Sequence, residues 1–240
     1  MGGQGPTTIP CRQYYHKAWR EIEDLVSPEV RIEVRVGDAP ARMLWAYPFE
    51  LGDLAAGFAA NQWCSLQEIP KLLETDGRRF VFARRSAPSG DGGQSPATAS
   101  PDTVVRAMGD FIEAPGLWHG TGCFHRAALF DPSSRSFVHT AEDIGRHNCI
   151  DRLRGWALRT DTSVAGLVLF VSARMTASLL EKCRQAGFRV VVSRSAVTTA
   201  SLEAAQQHGL TLIGFARNAR FTVFNDPLSW VSLSQEHGDG

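Results

Sequence analysis

The chain has 240 residues, 25 of them basic and 25 acidic, and a pI of about 7.1. This length suits one main α/β domain with room for a smaller lobe. The balanced charge creates no global field that would attract nucleic acid or an anionic membrane surface. No apolar run approaches the roughly 18 residues of a membrane span, and the N-terminus lacks the apolar core of a secretion signal. The sequence therefore predicts a cytoplasmic protein that binds neither nucleic acid nor membranes.

Cysteine usage and missing motifs exclude several kinds of chemistry. The five cysteines are odd in number and widely spaced, which indicates reduced thiols rather than a disulfide framework. C-x-x-C and H-E-x-x-H spacings are absent, so we expect no zinc or other metal site. Walker, dinucleotide and G-x-S-x-G motifs are absent as well, which argues against an ordinary NAD enzyme or hydrolase.

The N-terminal half combines strands with one helix. Val30–Val36 alternates apolar and charged residues, the pattern of a strand with one solvated face, and residues 42–48 are expected to pair with it. Small and apolar residues at helical spacing predict a buried helix over Leu51–Trp63. Phe80–Arg85 is predicted as the next strand.

The composition changes abruptly after that strand. Residues 86–101 are rich in Ser, Ala, Pro and Gly and have no apolar side chain large enough to anchor them. We therefore expect a flexible loop. We place the domain boundary at its end, with an N-terminal strand and helix lobe over 1–101 and an α/β core over 102–240.

The C-terminal half alternates helices and strands. A helix is predicted over 104–113, followed by a hairpin whose strands AALF and SFVHT flank the turn DPSS. After a helix over 148–158, the apolar strands GLVLFVS, RVVVS and TLIGFA alternate with helices that end at Gly187 and Gly209. This order predicts a parallel core sheet covered by helices, with RFTVF as an edge strand.

Candidate ligand residues follow from this sheet. Ligands of parallel α/β sheets bind outside the carboxyl ends of the strands, where loops and helix N-termini offer free N–H groups. The segments at such positions, TGCFHRA, EDIGRHN, SARMT, SRSAVTT and GFARNARF, mix small residues with side chains that hold anions. Their arginines are placed to converge on one phosphate-rich ligand: Arg146, Arg174, Arg194, Arg217 and Arg220.

Structural explanations stay open for the same residues. Arg146 and His147 are equally suited to capping the hairpin. The loop after RVVVS fits an ordinary strand-to-helix connection with a hydroxyl N-cap. Glu142 and Asp143 fit a role in balancing nearby arginines. The sequence alone leaves both interpretations open.

Cys123 is the candidate catalytic thiol. It lies two residues before His125, and in a strand both side chains would face the same side, so that imidazole could activate the thiolate. The alternative is a buried, inert thiol, the commoner state of free cysteine. Cys149 and Cys183 fall on apolar helix faces and are predicted core residues.

Together these segments resemble the FdhD/NarQ family, formate dehydrogenase accessory proteins that act as sulfur carriers. The resemblance is carried by TGCFHRAALFD, AEDIGRHNCIDRLRG, the stretch from VSARMT to TTASLEAA, and LTLIGFARNARFTVFNDP, in the family's order. It implies a three-layer α/β fold with a mixed sheet, similar to that of the cytidine deaminases but without their zinc ligands, beside the smaller β-rich N-terminal lobe.

The resemblance also implies a function and a site. Family members take persulfide sulfur from a cysteine desulfurase and pass it to the molybdenum cofactor, in its bis-guanine-dinucleotide form, before the cofactor enters formate dehydrogenase. Members are often homodimers. The family segment that binds this cofactor, or its GDP moiety, matches Phe215, Ala216, Arg217, Asn218, Ala219 and Arg220. We expect Arg146, His147, Ser193 and Arg194 to line the same cleft, with Asp143 fixing Arg146 or His147.

Two departures from the family pattern bear on mechanism. The usual Pro-Gly of the cofactor turn is Asn218–Ala219 in this chain, and the sulfur-carrying C-G-x-C-G loop is replaced by SAPSGDGGQSP. Either Cys123 or another thiol has taken over the sulfur, or the protein binds and delivers the cofactor without carrying sulfur. A deaminase-like nucleotide enzyme is suggested by fold alone and disfavoured by the missing metal motifs.

Overall fold

The computed structural model describes residues 5–65, 67–87 and 95–232, and within these ranges the chain forms twelve strands and six helices. The strands are β1 (Thr7–Tyr15), β2 (Ala18–Val26), β3 (Val30–Val36), β4 (Arg42–Ala46), β5 (Glu68–Thr75), β6 (Arg79–Ser86), β7 (His125–Asp131), β8 (Ser136–Asp143), β9 (Val168–Val171), β10 (Val190–Ser193), β11 (Thr211–Arg217) and β12 (Arg220–Asn225). The helices are α1 (Leu51–Trp63), α2 (Pro101–Glu113), α3 (Leu117–Thr121), α4 (Arg146–Arg159), α5 (Ala177–Gln185) and α6 (Thr199–His208).

The largest sheet has six strands in the order β12-β11-β10-β9-β7-β8. β9, β10 and β11 run parallel, whereas β7, β8 and β12 are antiparallel to their neighbours. Every residue of β9 and β10 is buried, as expected for strands covered on both faces. The predicted parallel core and the edge position of the last strand are confirmed.

Helices cover both faces of this sheet. α4, α5 and α6 pack on one face through an apolar cluster that includes Ile150, Leu153 and Leu180. α2 packs on the other face, where Phe111 and Trp230 are almost fully buried. The core is therefore a three-layer helix, sheet and helix arrangement. Its closer similarity to the cytidine deaminases stays a prediction.

A second sheet has the order β4-β3-β6-β5, in which β3 pairs antiparallel with β4 and parallel with β6. α1 covers one face of this sheet and packs Leu54 and Phe58 into a cluster with Ile32 and Val34. β3, β4, α1 and β6 match the sequence predictions in place and type. β5 was not predicted, because most of its residues are exposed and impose no apolar pattern.

The other side of α1 packs directly against α4. A Cβ on Gly57 would lie 1.7 Å from the carbonyl oxygen of Asp151, and a Cβ on Gly155 would lie 1.8 Å from that of Asp53. Only glycine permits so close an approach of two helix backbones. This crossing joins the second sheet to the three-layer core and sets the position of α4.

β1 and β2 form a separate antiparallel hairpin that was not predicted from the sequence. Trp19 is 70% exposed and its ring contacts that of Tyr14, with 5.3 Å between centroids. Neither face of the hairpin is fully buried, so burial imposes no strict alternation on its sequence.

The predicted loop over 86–101 is more ordered at its C-terminal end than expected. Ala99 is 4% exposed and forms a parallel bridge with Val231, and Trp230 donates its indole N–H to the Ala97 carbonyl at 2.8 Å. The Ser100 side chain caps α2. Small residues are thus anchored by partners from the C-terminal segment. Residues 88–94 of the predicted loop lie outside the described residues.

Candidate functional site

The basic and polar segments gather at one edge of the six-stranded sheet. The parallel strands β9, β10 and β11 all end there. β7 is antiparallel to β9 and therefore begins at the same edge, where His125 pairs in register with Asp143 at the end of β8. The candidate residues occupy the position where ligands of parallel α/β sheets bind.

A cavity of about 380 Å³ opens at this edge between α2 and the turn that joins β11 to β12. Its volume lies within the range of small-molecule sites. Six of the residues predicted to bind a cofactor line it: Arg194, Ala216, Arg217, Asn218, Ala219 and Arg220. The facing wall is supplied by one side of α2: Val105, Met108, Gly109, Ile112 and Glu113.

The three arginines of the cavity have no anionic partner in the part of the chain that the structure describes. Within the described ranges, the side chains of Arg194, Arg217 and Arg220 form no hydrogen bond or ion pair. The guanidinium of Arg217 lies 5.9 Å from the centroid of the Phe215 ring, a cation–π contact that leaves its N–H groups free. Guanidinium groups whose N–H groups are unpaired are suited to bidentate binding of phosphate oxygens.

The turn between β11 and β12 brings two of these arginines together. Arg217 and Arg220 form a directly opposed register pair on either side of Asn218 and Ala219. Both turn residues have positive φ, 55° and 54°, as a tight hairpin turn requires. Asparagine tolerates this conformation, whereas alanine is strained there. The departure from Pro-Gly therefore keeps a tight turn, with both arginines on one face of the hairpin.

Four of the ten predicted ligand residues are not part of the cavity lining, and Ser193 and Phe215 are two of them. Ser193 is inaccessible, and its hydroxyl donates to the Ala173 carbonyl at 2.8 Å and accepts from the Ser195 N–H at 3.0 Å. The prediction that Ser193 contacts a ligand is corrected on this ground. Phe215 has a positive φ of 51°, and its ring lies 6.1 Å from that of Phe224, so it shapes the end of β11.

Arg146 and His147 form a second cluster at the same edge, outside the cavity lining. His147 Nε2 lies 3.4 Å from Ser178 Oγ. Burial, followed by the positive charges of Lys182 and Arg146, lowers the pKa of His147 to about 4. The sequence predicts these residues in one cleft with the cofactor turn, whereas neither of them lines the cavity beside that turn.

His125 completes the second cluster. Burial and then the charges of Arg146 and Arg174 lower its pKa, although Asp143 acts in the opposite direction. Its buried Nδ1 has no hydrogen-bond partner among the described residues. The cluster therefore presents imidazoles that are neutral at pH 7, in a positive local field. From the sequence, His125 was singled out only as a neighbour of Cys123.

Asp143 binds neither Arg146 nor His147, contrary to expectation. One carboxylate oxygen accepts from Arg152 at 2.6 Å, and the other accepts from the Gly145 N–H and the Asn148 side chain, each at 2.9 Å. Arg152 was not singled out by sequence. The alternative that this acid balances a nearby arginine is confirmed, and the interaction fixes the start of α4.

Glu142 has a similar structural role. It pairs with the buried Arg126 at 2.9 Å and accepts from the N–H groups of Leu117 and Trp118 at the start of α3. A Cβ on Gly116 would lie 2.1 Å from the Arg126 guanidinium, so a larger residue there would have to displace this buried pair. Both acids of the EDIGRHN segment therefore hold backbone in place.

Cys123 is exposed and precedes β7, so it does not share a strand face with His125. Both sequence-based alternatives, a strand position beside the imidazole and a buried thiol, are wrong for this residue. Cys149 and Cys183 are buried as predicted, and burial raises the pKa of both thiols far above the usual value. Neither is suited to nucleophilic chemistry.

The described ranges contain no group of three or more His, Cys, Asp or Glu side chains arranged to hold a metal ion. In the same ranges, no helix combines the length and the hydropathy needed to cross a bilayer.

Comparison with known proteins identifies the family. A model of the FdhD/NarQ family matches residues 74–230. The chain belongs to the FdhD/NarQ family. An FdhD/NarQ relative, protein FdhD of Methanocaldococcus jannaschii, is 25% identical over 223 residues, covering 92% of this chain and 97% of the relative. The sulfur carrier protein FdhD of Staphylococcus aureus is 33% identical over 220 residues, covering 78% of this chain and 82% of the relative.

A solved structure shows the same fold. The crystal structure of a protein from Desulfotalea psychrophila, described as a candidate formate dehydrogenase accessory protein, matches with a TM-score of 0.78. The match covers 93% of this chain and 98% of that protein at 20% identity. The architecture described above is thus that of the FdhD/NarQ fold.

We expect the free energy of unfolding to fall as the pH drops from about 6.5 to 4, in part through His147. Its pKa is about 4 in the folded protein, below the usual value of about 6.5 in an unfolded chain. Between these values the unfolded chain binds the proton more readily, so stabilisation that is complete above pH 6.5 is lost as the pH falls. After discounting for partial solvent exposure, we expect about 1–2 kcal/mol.

Urea unfolding at pH 7 and pH 4.5 measures this contribution. His147→Gln should lose less stability between the two pH values than the wild type, because glutamine does not titrate. His119→Gln, at an exposed histidine of α3, should retain the wild-type dependence. The same pH dependence in all three proteins would show that His147 contributes nothing.

Proposed function

We propose that this protein binds the molybdenum cofactor in its bis-guanine-dinucleotide form, as a substrate, and assists its sulfuration for formate dehydrogenase. The observation that carries the proposal is a cavity with three guanidinium groups that have no hydrogen-bond or ion-pair partner among the described residues, Arg194, Arg217 and Arg220. The pyrophosphate of a dinucleotide supplies the anionic oxygens that such groups bind in pairs. The names of two similar proteins, a sulfur carrier protein and a formate dehydrogenase accessory protein, support the same function.

For the sulfur step we propose Cys123 as the carrier. It is the exposed cysteine of the described ranges and lies at the sheet edge that holds the His125 and His147 cluster. Its thiolate would attack the sulfane sulfur of a donor persulfide. The donor's S–S bond breaks, a new S–S bond forms on Cys123, and the donor cysteine leaves as a thiolate, so no oxidant is needed.

A second function is favoured by the absence of the C-G-x-C-G loop from this chain. Under this alternative, the protein is a chaperone or regulatory homologue that binds the cofactor and delivers it without carrying sulfur. The cavity and its arginines serve both functions, and the two differ only in the use of Cys123.

The proposed partners follow from the family resemblance and fit this chemistry. A cysteine desulfurase would supply the persulfide sulfur, and formate dehydrogenase would receive the sulfurated cofactor. We also propose a homodimer, because β12 is an edge strand of the six-stranded sheet and exposes Val223. An unpaired edge of this kind can pair with a second copy.

One experiment with two readouts tests the function. The protein is incubated with a cysteine desulfurase and cysteine, intact mass is measured, and GDP binding is measured calorimetrically on the same sample. Cys123→Ser should abolish an adduct of about 32 Da, one sulfur atom, while Cys11→Ser, at a half-buried thiol, should keep it. Arg217→Gln should weaken GDP binding about 10-fold or more, and Arg106→Gln, outside the cavity lining, should not.

The outcomes separate the alternatives. An adduct on Cys123 together with GDP binding supports sulfur transfer. GDP binding without an adduct supports the delivery function. Absence of GDP binding by the wild-type protein would contradict both.

A further inference from the structure

The two walls of the 380 Å³ cavity differ in charge. The turn between β11 and β12 supplies Arg217 and Arg220, and the facing side of α2 supplies apolar side chains and one carboxylate, that of Glu113. We propose that Glu113 recognises the base of the bound nucleotide by accepting hydrogen bonds from the donor edge of guanine. This inference rests on the proposed function and names the specificity-determining residue of its nucleotide site.

The carboxylate of Glu113 is free to bind a ligand. In the part of the chain that the structure describes, it accepts no hydrogen bond and forms no ion pair. None of the arginines that line the same cavity lies within salt-bridge distance of it. A carboxylate and three guanidinium groups that share one cavity without pairing are held on separate walls, which leaves room for a ligand with opposite polarity at its two ends.

Glu113 also lies at an electrostatically distinct position on α2. Glu113 is the last residue of this helix. The C-terminal end of a helix carries the negative end of its dipole and disfavours a carboxylate there. Among the described residues no side chain or N–H group donates to this carboxylate, so donors from a ligand would add a favourable interaction at the negative end of the helix.

Guanine matches this wall in shape and polarity. Its N1–H and N2 amino group are adjacent donors in one plane, which the two oxygens of a carboxylate can accept together. Adenine presents a ring acceptor at the corresponding position and would face the carboxylate without a hydrogen bond. The side chains of Val105, Met108 and Ile112 line the same wall and supply an apolar surface for the flat face of a purine.

The ligand orientation follows from the two walls. With the base against α2, the diphosphate reaches the Arg217 and Arg220 pair across the cavity. The arginines hold any nucleoside diphosphate, whereas Glu113 distinguishes between bases. The expected specificity is therefore for guanine nucleotides, with inosine nucleotides weaker because they lack the N2 amino group.

Isothermal titration of the full chain with GDP, IDP, ADP and inorganic pyrophosphate tests the inference. We expect GDP to bind about 100-fold more tightly than ADP, with IDP between them, since a site built to pair with donors strongly rejects a base that lacks them. Glu113→Gln should weaken GDP binding about 10-fold or more and leave ADP binding unchanged. Glu113→Asp should recover part of the preference for GDP.

Asp110→Asn is the matched control, because Asp110 lies on the same helix but faces a different cavity. It should keep the wild-type preference for GDP. Glu113 is exposed, so its variants should fold, and thermal unfolding checks this. Equal binding of GDP and ADP by the wild type, or an unchanged ratio in Glu113→Gln, would overturn the role of Glu113 and leave the anion site intact. Absence of binding by every nucleotide and by pyrophosphate would instead contradict the proposed function.

Discussion

Gly155→Ala is expected to lower the free energy of unfolding by about 3 kcal/mol or more. The new Cβ would lie 1.8 Å from the carbonyl oxygen of Asp53 and 2.5 Å from its carbonyl carbon. Both neighbours are backbone atoms of α1, so no side chain can rotate away and the two helices have to separate. Urea unfolding followed by circular dichroism measures the change, and the thermal midpoint should fall by roughly 6–12 °C.

Gly52→Ala is the matched control. Gly52 is a helical glycine as well, in α1, but a Cβ there meets no atom of the described residues within 4 Å. Because alanine favours a helix over glycine by up to about 1 kcal/mol, this variant should be at least as stable as the wild type. Gly57→Ala, the reciprocal contact of the crossing, should resemble Gly155→Ala. If Gly155→Ala were as stable as Gly52→Ala, the close approach of α1 and α4 would be contradicted.

Apolar periodicity was enough to place the elements that bury a face. The bounds of Val30–Val36 and Leu51–Trp63 agree with the structure, because burial of one side imposes a period of two on the strand and about 3.6 on the helix. The hairpin of β1 and β2, and strand β5, were missed because they bury few side chains. Backbone pairing holds such strands, and it leaves little trace in sequence.

The gathering of the candidate segments at one sheet edge was also predictable, whereas the choice of charge partners was not. Alternating strands and helices bring the loops to one sheet edge whatever side chains they carry. Asp143, however, binds Arg152 instead of Arg146 or His147. That choice depends on how α4 packs against the chain at residues 45–50. The spacing of residues along the sequence does not indicate this packing. The pairing of Arg126 with Glu142 is easier to derive from sequence, because the two residues lie opposite each other in the register of the β7–β8 hairpin.

Arg152→Met is expected to lower the free energy of unfolding by about 3–5 kcal/mol. Arg152 and Asp143 form an ion pair of 2.6 Å, with side chains that are 4% and 0% exposed. The guanidinium also donates to the carbonyls of Tyr47, Phe49 and Glu50. Methionine would occupy a similar length without a donor, so a carboxylate and several carbonyl oxygens would stay buried without these partners. Urea unfolding measures the loss.

Arg159→Met on the same helix separates this effect from the general loss of an arginine. Arg159 also pairs across the crossing with an aspartate, Asp53, but its side chain is 56% exposed. Water can replace an exposed guanidinium, so this variant should lose about 1 kcal/mol or less. Equal losses in the two variants would show that the buried pair adds nothing beyond an ordinary surface contact. A larger loss in Arg152→Met would instead support Asp143 as the anchor of α4, since its carboxylate also accepts from the Gly145 N–H just before that helix.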